Sequence, residues 1–481
     1  MESSLFLTIF LIYVVFMIAL GWFVSRKQTT GEDFLLGGRD MPIFLTIGTT
    51  VATMVGTGSS MGAVGFAYDN GWAGTLYGLG GAIGILLLAW LIAPVREHRF
   101  MTMSEELSYY VGANPLIKNV VAVLIFIASI GWLGAHMIGG GIYLAWVTDL
   151  SPSAAKVVVA MGFAVYVVIG GYTAVVWTDT IQAVILFVGF ILMAVVSIEH
   201  VGGWSVLLEA QPLENVSLLG LDKVGLIPAM SLAAAILVGI LATPSYRQRI
   251  YSAKSVSAAR KSFILSGCLY LLFSFIPALI GMAAYAIDGN LKEATFAFPF
   301  SAIQVLPLWI GIVVLIAGLS ATMSSASSDA IAAVSILLRD IFGLVTGKMP
   351  DKEKMIPFSR FGLILIIAVA LVFALTSNDI IGYITKMIST IMSGLCVCSL
   401  LGKFWPRYNW QGALATLLGG SVTSILVISV NPWLEFWGNP ILPAVLVALL
   451  VGVITAMITP ASTILAEEAL DILARERAQI E

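Results

Sequence analysis

The chain has 481 residues, 59% hydrophobic and 11% charged, with a mean hydropathy of +1.00. Soluble domains carry about 25% charged residues, so this composition excludes an ordinary soluble domain and predicts an all-α polytopic membrane protein, with the lipid bilayer as its partner. The formal net charge of −3 is sorted along the loops and not pooled on a face, which leaves no nucleic-acid footprint.

Apolar runs of about 20 residues, long enough to cross a bilayer, fall at 5–25, 43–67, 73–95, 119–147, 155–171, 179–199, 227–245, 263–287, 307–338, 359–376, 381–401, 412–430 and 442–459. They predict about thirteen transmembrane helices. The first run has no basic segment before it and is followed directly by Arg26 and Lys27, so it reads as a retained span and not a signal peptide. Positive charge collects in cytoplasmic loops. With the N-terminus outside, 20 of the 24 Lys and Arg residues fall in inner loops, among them Arg247 and Arg249; Lys156, Lys223 and Lys292 fall outside and Lys386 within a span. The asymmetry predicts a cell-membrane protein with an outer N-terminus and a cytoplasmic C-terminus. Cys268, Cys396 and Cys398 all lie in apolar runs, where they read as packing residues.

Two runs carry interruptions. The second contains Val55-Gly56-Thr57-Gly58-Ser59-Ser60-Met61-Gly62, and each glycine weakens helix by about 1 kcal/mol. The seventh contains Gly239 and then Thr243-Pro244. The two lie five spans apart, so they enter the membrane from opposite sides, the pattern of inverted repeats whose broken helices build a central site. The expected organisation is a first peripheral helix and inner loop (1–42), a first repeat (43–226), a second repeat (227–401), two peripheral helices (402–460) and a short cytoplasmic tail (461–481). Gly80-Gly81 and Gly139-Gly140-Gly141 read as close helix contacts.

The ninth run holds the polar cluster Ser320, Thr322, Ser324, Ser325, Ser327, Ser328 and Asp329. A carboxylate in hydrocarbon is costly unless it meets a partner, an ion or water, and hydroxyls three and four residues apart share a helix face. The cluster points to a cation site; the alternative is hydroxyls bonded back to their own helix. Asp179 opens the sixth run, where it is a candidate ligand or a helix cap. For Asp329 an ion ligand, an ion pair with Lys386 and a solvated position all remain open. His136 is a buried hydrogen-bonded histidine or a substrate contact, and Lys386 either snorkels or binds an anion. None of these has companions at metal-ligand spacing, so a transition-metal site is not expected.

The run from Gly170 to Gln182, Ser324-Ser325 followed by Arg339-Asp340, Gly65-Phe66-Ala67-Tyr68, and Gly402-Lys403-Phe404-Trp405-Pro406-Arg407 resemble the sodium/solute symporter family of proline, pantothenate, sialic acid and sugar carriers. The resemblance covers residues 1 to about 460. It implies a LeuT-type core of five-plus-five inverted repeats and Na⁺ as coupling ion. It also implies a first sodium site of Ala52, Val55, Ala321, Ser324 and Ser325, and a second of Asp179, Ser324, Ser327 and Ser328. Where sugar carriers of the family place aromatic residues the chain has Gly239 and Ile240, the sugar-binding polar position is Ser59, and His136 replaces a usual glutamine, so a hexose is disfavoured. The expected substrate contacts are Gly56, Thr57, Ser59, His136, Gly239 and Thr243. With no acidic residue adjoining the first break, a carboxylate-bearing solute, monocarboxylate or amino-acid-like, fits its free amides.

The sequence thus predicts Na⁺-coupled symport of a small organic solute by alternating access, with one chain sufficient. Proton coupling through Asp179, Asp329 or His136 is the rival. A membrane enzyme would need converging catalytic groups, and only scattered candidates exist; a sensor would need more than the short tail, and a channel would not need broken helices.

Overall fold

The computed structural model describes residues 3–348, 350–376 and 387–478, and among these every regular element is a helix. In chain order the main helices are α1 (Ser3–Ser25), α2 (Ile43–Met54), α3 (Ala63–Asn70), α4 (Thr75–Leu87), α5 (Met103–Tyr109), α6 (Pro115–Val147), α7 (Pro152–His200), α8 (Leu226–Ala242) and α9 (Pro244–Ser252). There follow α10 (Val256–Phe273), α11 (Phe275–Ile287), α12 (Leu308–Ile336), α13 (Met355–Thr376), α14 (Ser393–Phe404), α15 (Trp410–Ser429), α16 (Ile441–Ile458) and α17 (Ala466–Arg477). Nine helical stretches of the described residues are long and apolar enough to span a membrane, and the bent pair α8–α9 makes a tenth. Thirteen spans is therefore three more than length and composition establish. The first half of the second run is the short α2 while its second half joins the third run in one stretch, the fifth and sixth runs share the stretch Pro152–His200, and the eleventh begins in residues outside the described ones.

The helix ends obey local chemistry. Asn114 and Ser151 cap α6 and α7 by accepting the amides of Ile117 and Ala154, each with proline at the first helical position, where its missing amide costs nothing. The 49-residue α7 would extend about 74 Å as a straight helix, over twice a hydrocarbon core. It is divided at Gly171, with φ 55° and ψ −148°, a conformation open to glycine; a Cβ there would also meet the Phe34 carbonyl at 2.5 Å. Spans five and six therefore meet at the glycine pair that the sequence places between them.

The first break leaves helix at Val55, with φ −83° and ψ 61°, and resumes through a wide turn at Gly58–Gly62 into α3. In the second, Pro244 forces Thr243 out of helical geometry, to φ −78° and ψ 126°, and α9 continues at a bend of 45°. Around these breaks stands α12, buried at every residue from Val314 to Ile336 and packed on α2, α6, α7 and α9. A helix buried all round is a core element. The glycine run of α6 permits close approach: a Cβ at Gly139 would lie 2.2 Å from the Thr57 methyl and one at Gly140 2.7 Å from that of Thr322. Outward-facing apolar residues such as Ile12, Leu272 and Phe361 are exposed, as lipid-facing positions are.

The tail is not a free strand. α17 returns to the core, where Glu476 meets Lys118 at 2.8 Å and the buried Arg339 at 3.0 Å, while Arg477 bonds Glu105 of α5 at 2.9 Å.

Candidate functional site

Two oxygen clusters lie between α2 and α12. In the first, the Ser324 hydroxyl donates to the Ala52 carbonyl at 3.0 Å and to the Ala321 carbonyl at 3.1 Å. That of Ser325 donates to Thr53 O at 3.0 Å and Ala321 O at 3.2 Å. Backbone carbonyls at the end of α2 are free to accept these bonds because the last turn of a helix leaves its carbonyls without intrahelical donors. The structure thus brings Ala52, Ala321, Ser324 and Ser325 together at the break, with Val55 at the non-helical residue beside them. Gly56 has no alternative here, since a Cβ would stand 2.4 Å from Ser325 Oγ.

The second cluster surrounds Asp179. Its Oδ2 accepts from Thr49 Oγ1 at 2.6 Å and Ser328 Oγ at 3.0 Å, and its Oδ1 from Ser327 Oγ at 3.4 Å. Ser324, expected here as well, turns its hydroxyl to the first cluster and touches this one only through its carbonyl, which accepts from Ser327 at 2.9 Å. Asp179 is no solvated helix cap: it lies inside continuous helix and is fully buried.

Sequence reasoning missed Arg249. Counted as an inner-loop charge, it is 1% exposed, and its Nη2 stands among the oxygens of Thr49 (2.7 Å), Ser328 (2.6 Å), Asp179 (3.4 Å) and Thr53. One terminal nitrogen has two hydrogens, fewer than the four oxygens ringed around it. Its neighbour Arg247 is likewise buried, paired with Glu106 at 2.8 Å. No local signal marks either as other than a loop charge.

Beside the first cluster a cavity opens between the two breaks. Gly56 and Gly58 line it from the first, Gly239 and Thr243 from the second, and His136, Ser325 and Asp329 from α6 and α12. Four rings complete it: Tyr77, Trp132, Tyr246 and Tyr270. Of the expected substrate contacts, Gly56, His136, Gly239 and Thr243 face this space. Thr57 and Ser59 do not line it. The Thr57 hydroxyl pairs with His136 Nδ1 at 2.9 Å, and that of Ser59 donates to the Met54 and Gly56 carbonyls at 2.7 and 3.2 Å. Ser59 holds the break, because a hydroxyl beside orphaned carbonyls satisfies those first, and Thr57 ties it to α6 and, through Thr322 Oγ1 at 3.3 Å, to α12.

Asp329 corrects the expectation that no acid adjoins the break. It lines the cavity together with Gly56, and its Oδ2 lies 3.3 Å from His136 Nε2. Lys386, one of its proposed partners, lies outside the described residues. The 193-residue separation of His136 and Asp329 left nothing local to pair them.

A sequence profile of the sodium:solute symporter family matches residues 34–420. The chain belongs to the sodium:solute symporter family. It is similar to the osmoregulated proline transporter OpuE of Bacillus subtilis (strain 168), at 25% identity over 435 residues covering 87% of both chains. It is similar also to the sodium/pantothenate symporter of Haemophilus influenzae, at 25% over 463 residues covering 92% of this chain and 93% of that one. Among solved structures, a Na⁺-coupled sialic acid symporter in a substrate-bound outward-open state superposes with a TM-score of 0.83 at 19% identity, over 96% of this chain and 98% of that one. The fold is the LeuT-type transporter fold.

Proposed function

We propose that this symporter carries a small carboxylate-bearing solute inward together with Na⁺, and that the ion binds where α12 meets the end of α2. The observation that carries this reading is the pair of serine hydroxyls, Ser324 and Ser325, bonded across to the carbonyls of Ala52 and Thr53. An ion accepted by those oxygens, with Val55 and Ala321, ties the first broken helix to α12. Binding that depends on the two elements being together stabilises the state in which they are. Coupling then follows from differential affinity between states and not from tightness alone.

A second ion in the cage of Asp179, Ser327 and Ser328 has to share it with Arg249. The guanidinium and Na⁺ compete for the same oxygens, so that site is an exchange: the ion enters as the Arg249 side chain withdraws.

The solute belongs in the cavity between the breaks. Trp132 Nε1 and Ser245 Oγ are buried without hydrogen-bond partners among the described residues, and both residues line the cavity. Buried donors are costly to leave unpaired, and a carboxylate satisfies both, aided by the positive end of α9, where Ser245 sits in the first turn. One chain supplies the cavity and both oxygen clusters, so a monomer suffices. Family membership supports transport and not catalysis, and the bias of basic residues supports an outer N-terminus in the cell membrane.

The test is radiolabelled uptake into proteoliposomes from a panel of carboxylates, amino acids and sugars, with an inward Na⁺ gradient or a pH gradient. Uptake of carboxylate-bearing members that requires Na⁺ is expected. Uptake driven by the pH gradient and indifferent to Na⁺ would overturn sodium coupling and transfer the role of ion carrier to the His136–Asp329 pair.

A further inference from the structure

One group in the cavity is left unused by a carboxylate solute. Asp329 is 5% exposed, faces the same space as Trp132 and Ser245, and would repel a second carboxylate. The cavity wall holds no lysine or arginine among its described lining residues, so nothing there has a fixed positive charge to balance it. Aromatic side chains share the wall with it. Trp132 is stacked on His136 with centroids 6.1 Å apart and planes at 19°, and Tyr77, Tyr246 and Tyr270 line the remaining wall. A buried carboxylate needs a positive partner, and aromatic faces attract cations, quaternary ammonium groups among them. The C-terminal ends of α2 and α8, at Met54 and Gly239–Thr243, also border this space, and such ends favour positive charge.

We propose that Asp329 anchors an ammonium group of the solute, so that the transported class is zwitterionic, an amino acid or an N-methylated relative, and not a plain monocarboxylate. This rests on the reading of the cavity as the solute site. The two halves of such a molecule find separate partners: the carboxylate at Trp132 and Ser245, the ammonium at Asp329 within the ring of aromatics. His136 is then a positioning residue. Its Nε2 holds one carboxylate oxygen of Asp329 while Nδ1 is tied to Thr57 on the broken helix, so the orientation of the anion is linked to the element that the ion site grips.

The experiment uses matched probes that differ at the nitrogen: L-alanine against L-lactate, L-proline against tetrahydrofuran-2-carboxylate, and glycine betaine against 3,3-dimethylbutyrate. Each is applied in radiolabelled form to proteoliposomes of the full chain, and its Na⁺-driven uptake, which registers neutral and anionic probes alike, is measured for wild type, Asp329→Asn and Asp329→Glu. At least one amine is expected to beat its partner tenfold or more in apparent affinity. Asp329→Asn should cut that preference to below threefold, and Asp329→Glu, which keeps the charge, should retain most of it. Binding of ²²Na⁺ to each variant is measured alongside, and values within threefold of wild type show that the ion site survives. Deaminated probes that match or beat the amines, or a preference that persists in Asp329→Asn, would overturn the proposal. Uptake that persists without a Na⁺ gradient would sink the symport reading, while the contrast within each pair would still decide the ammonium site.

Discussion

Replacing Ser325 by alanine removes one hydroxyl from the proposed first sodium site and little else. In the ion-free protein that hydroxyl shares one hydrogen between Thr53 O at 3.0 Å and Ala321 O at 3.2 Å, which contributes about 0.5–1.5 kcal/mol. Towards a bound cation its oxygen is worth more, about 1.5–3 kcal/mol for a polar group facing a charge, equivalent to roughly 10- to 150-fold in affinity. The Na⁺ concentration for half-maximal uptake in proteoliposomes should rise by that factor, with the maximal rate recoverable at high Na⁺. Thermal denaturation in detergent gives a second readout. In Na⁺-free buffer the variant should melt close to wild type, whereas the stabilisation added by Na⁺ should shrink by about 1.4 kcal/mol for each tenfold loss of affinity. Ser320→Ala is the control: its hydroxyl pairs with Tyr13 at 2.7 Å and with no oxygen of either cluster, and its Na⁺ dependence should stay within threefold. A Ser325→Ala protein whose half-maximal Na⁺ lies within threefold of wild type would refute the assignment of this hydroxyl to the ion.

Asp179→Asn leaves the buried guanidinium of Arg249 without its acidic partner and should cost about 3–5 kcal/mol; Arg249→Gln should cost similarly, but Asp179→Asn with Arg249→Gln should cost less than the sum, as denaturation midpoints would register, and strict additivity would show that the two do not interact. Outside the membrane, burial alone would raise the Glu476 carboxyl, but Lys118 and Arg339 hold it below the ordinary carboxylate range. The docking of α17 is therefore fully supported above the ordinary value and is lost as pH falls through the lowered one. Hydrogen exchange across residues 466–477 should stay slow at pH 6 and accelerate only in acid below pH about 4.5; an onset between pH 6 and 7 would rule Glu476 out as the cause.

The breaks were legible because they are written locally: glycines, Thr243-Pro244 and hydroxyls have no other business in an apolar run. The serine face of α12 was legible for the same reason, since helical spacing alone brings Ser324 and Ser328 to one side. What escaped were relations between distant residues. Arg249 obeys the charge rule for an inner loop, yet it sits on the short α9 that folds back from a proline bend into the core, and nothing nearby signals the bend's direction. Thr57 and Ser59 were read as facing the solute because hydroxyls at a break look like ligands; the break's own carbonyls and His136 took them first. Asp329 was legible as an intramembrane carboxylate, but its partner lies on another helix 193 residues away.

The return of α17 to the core changes how the C-terminus has to be handled. Arg339 is fully buried and counts Glu476 among its carboxylates, and Glu105, equally buried, takes Arg477 as a partner. Cutting the chain before Ala466, or pulling the segment away with a fused reporter, would take one acidic partner from Arg339, which keeps Glu105 and Asp340, and one basic partner from Glu105, which keeps Arg339. Residues 466–477 behave as a keystone laid after the arch, and a truncated or tagged variant that transports badly would report on that missing stone before it reported on the path of the solute.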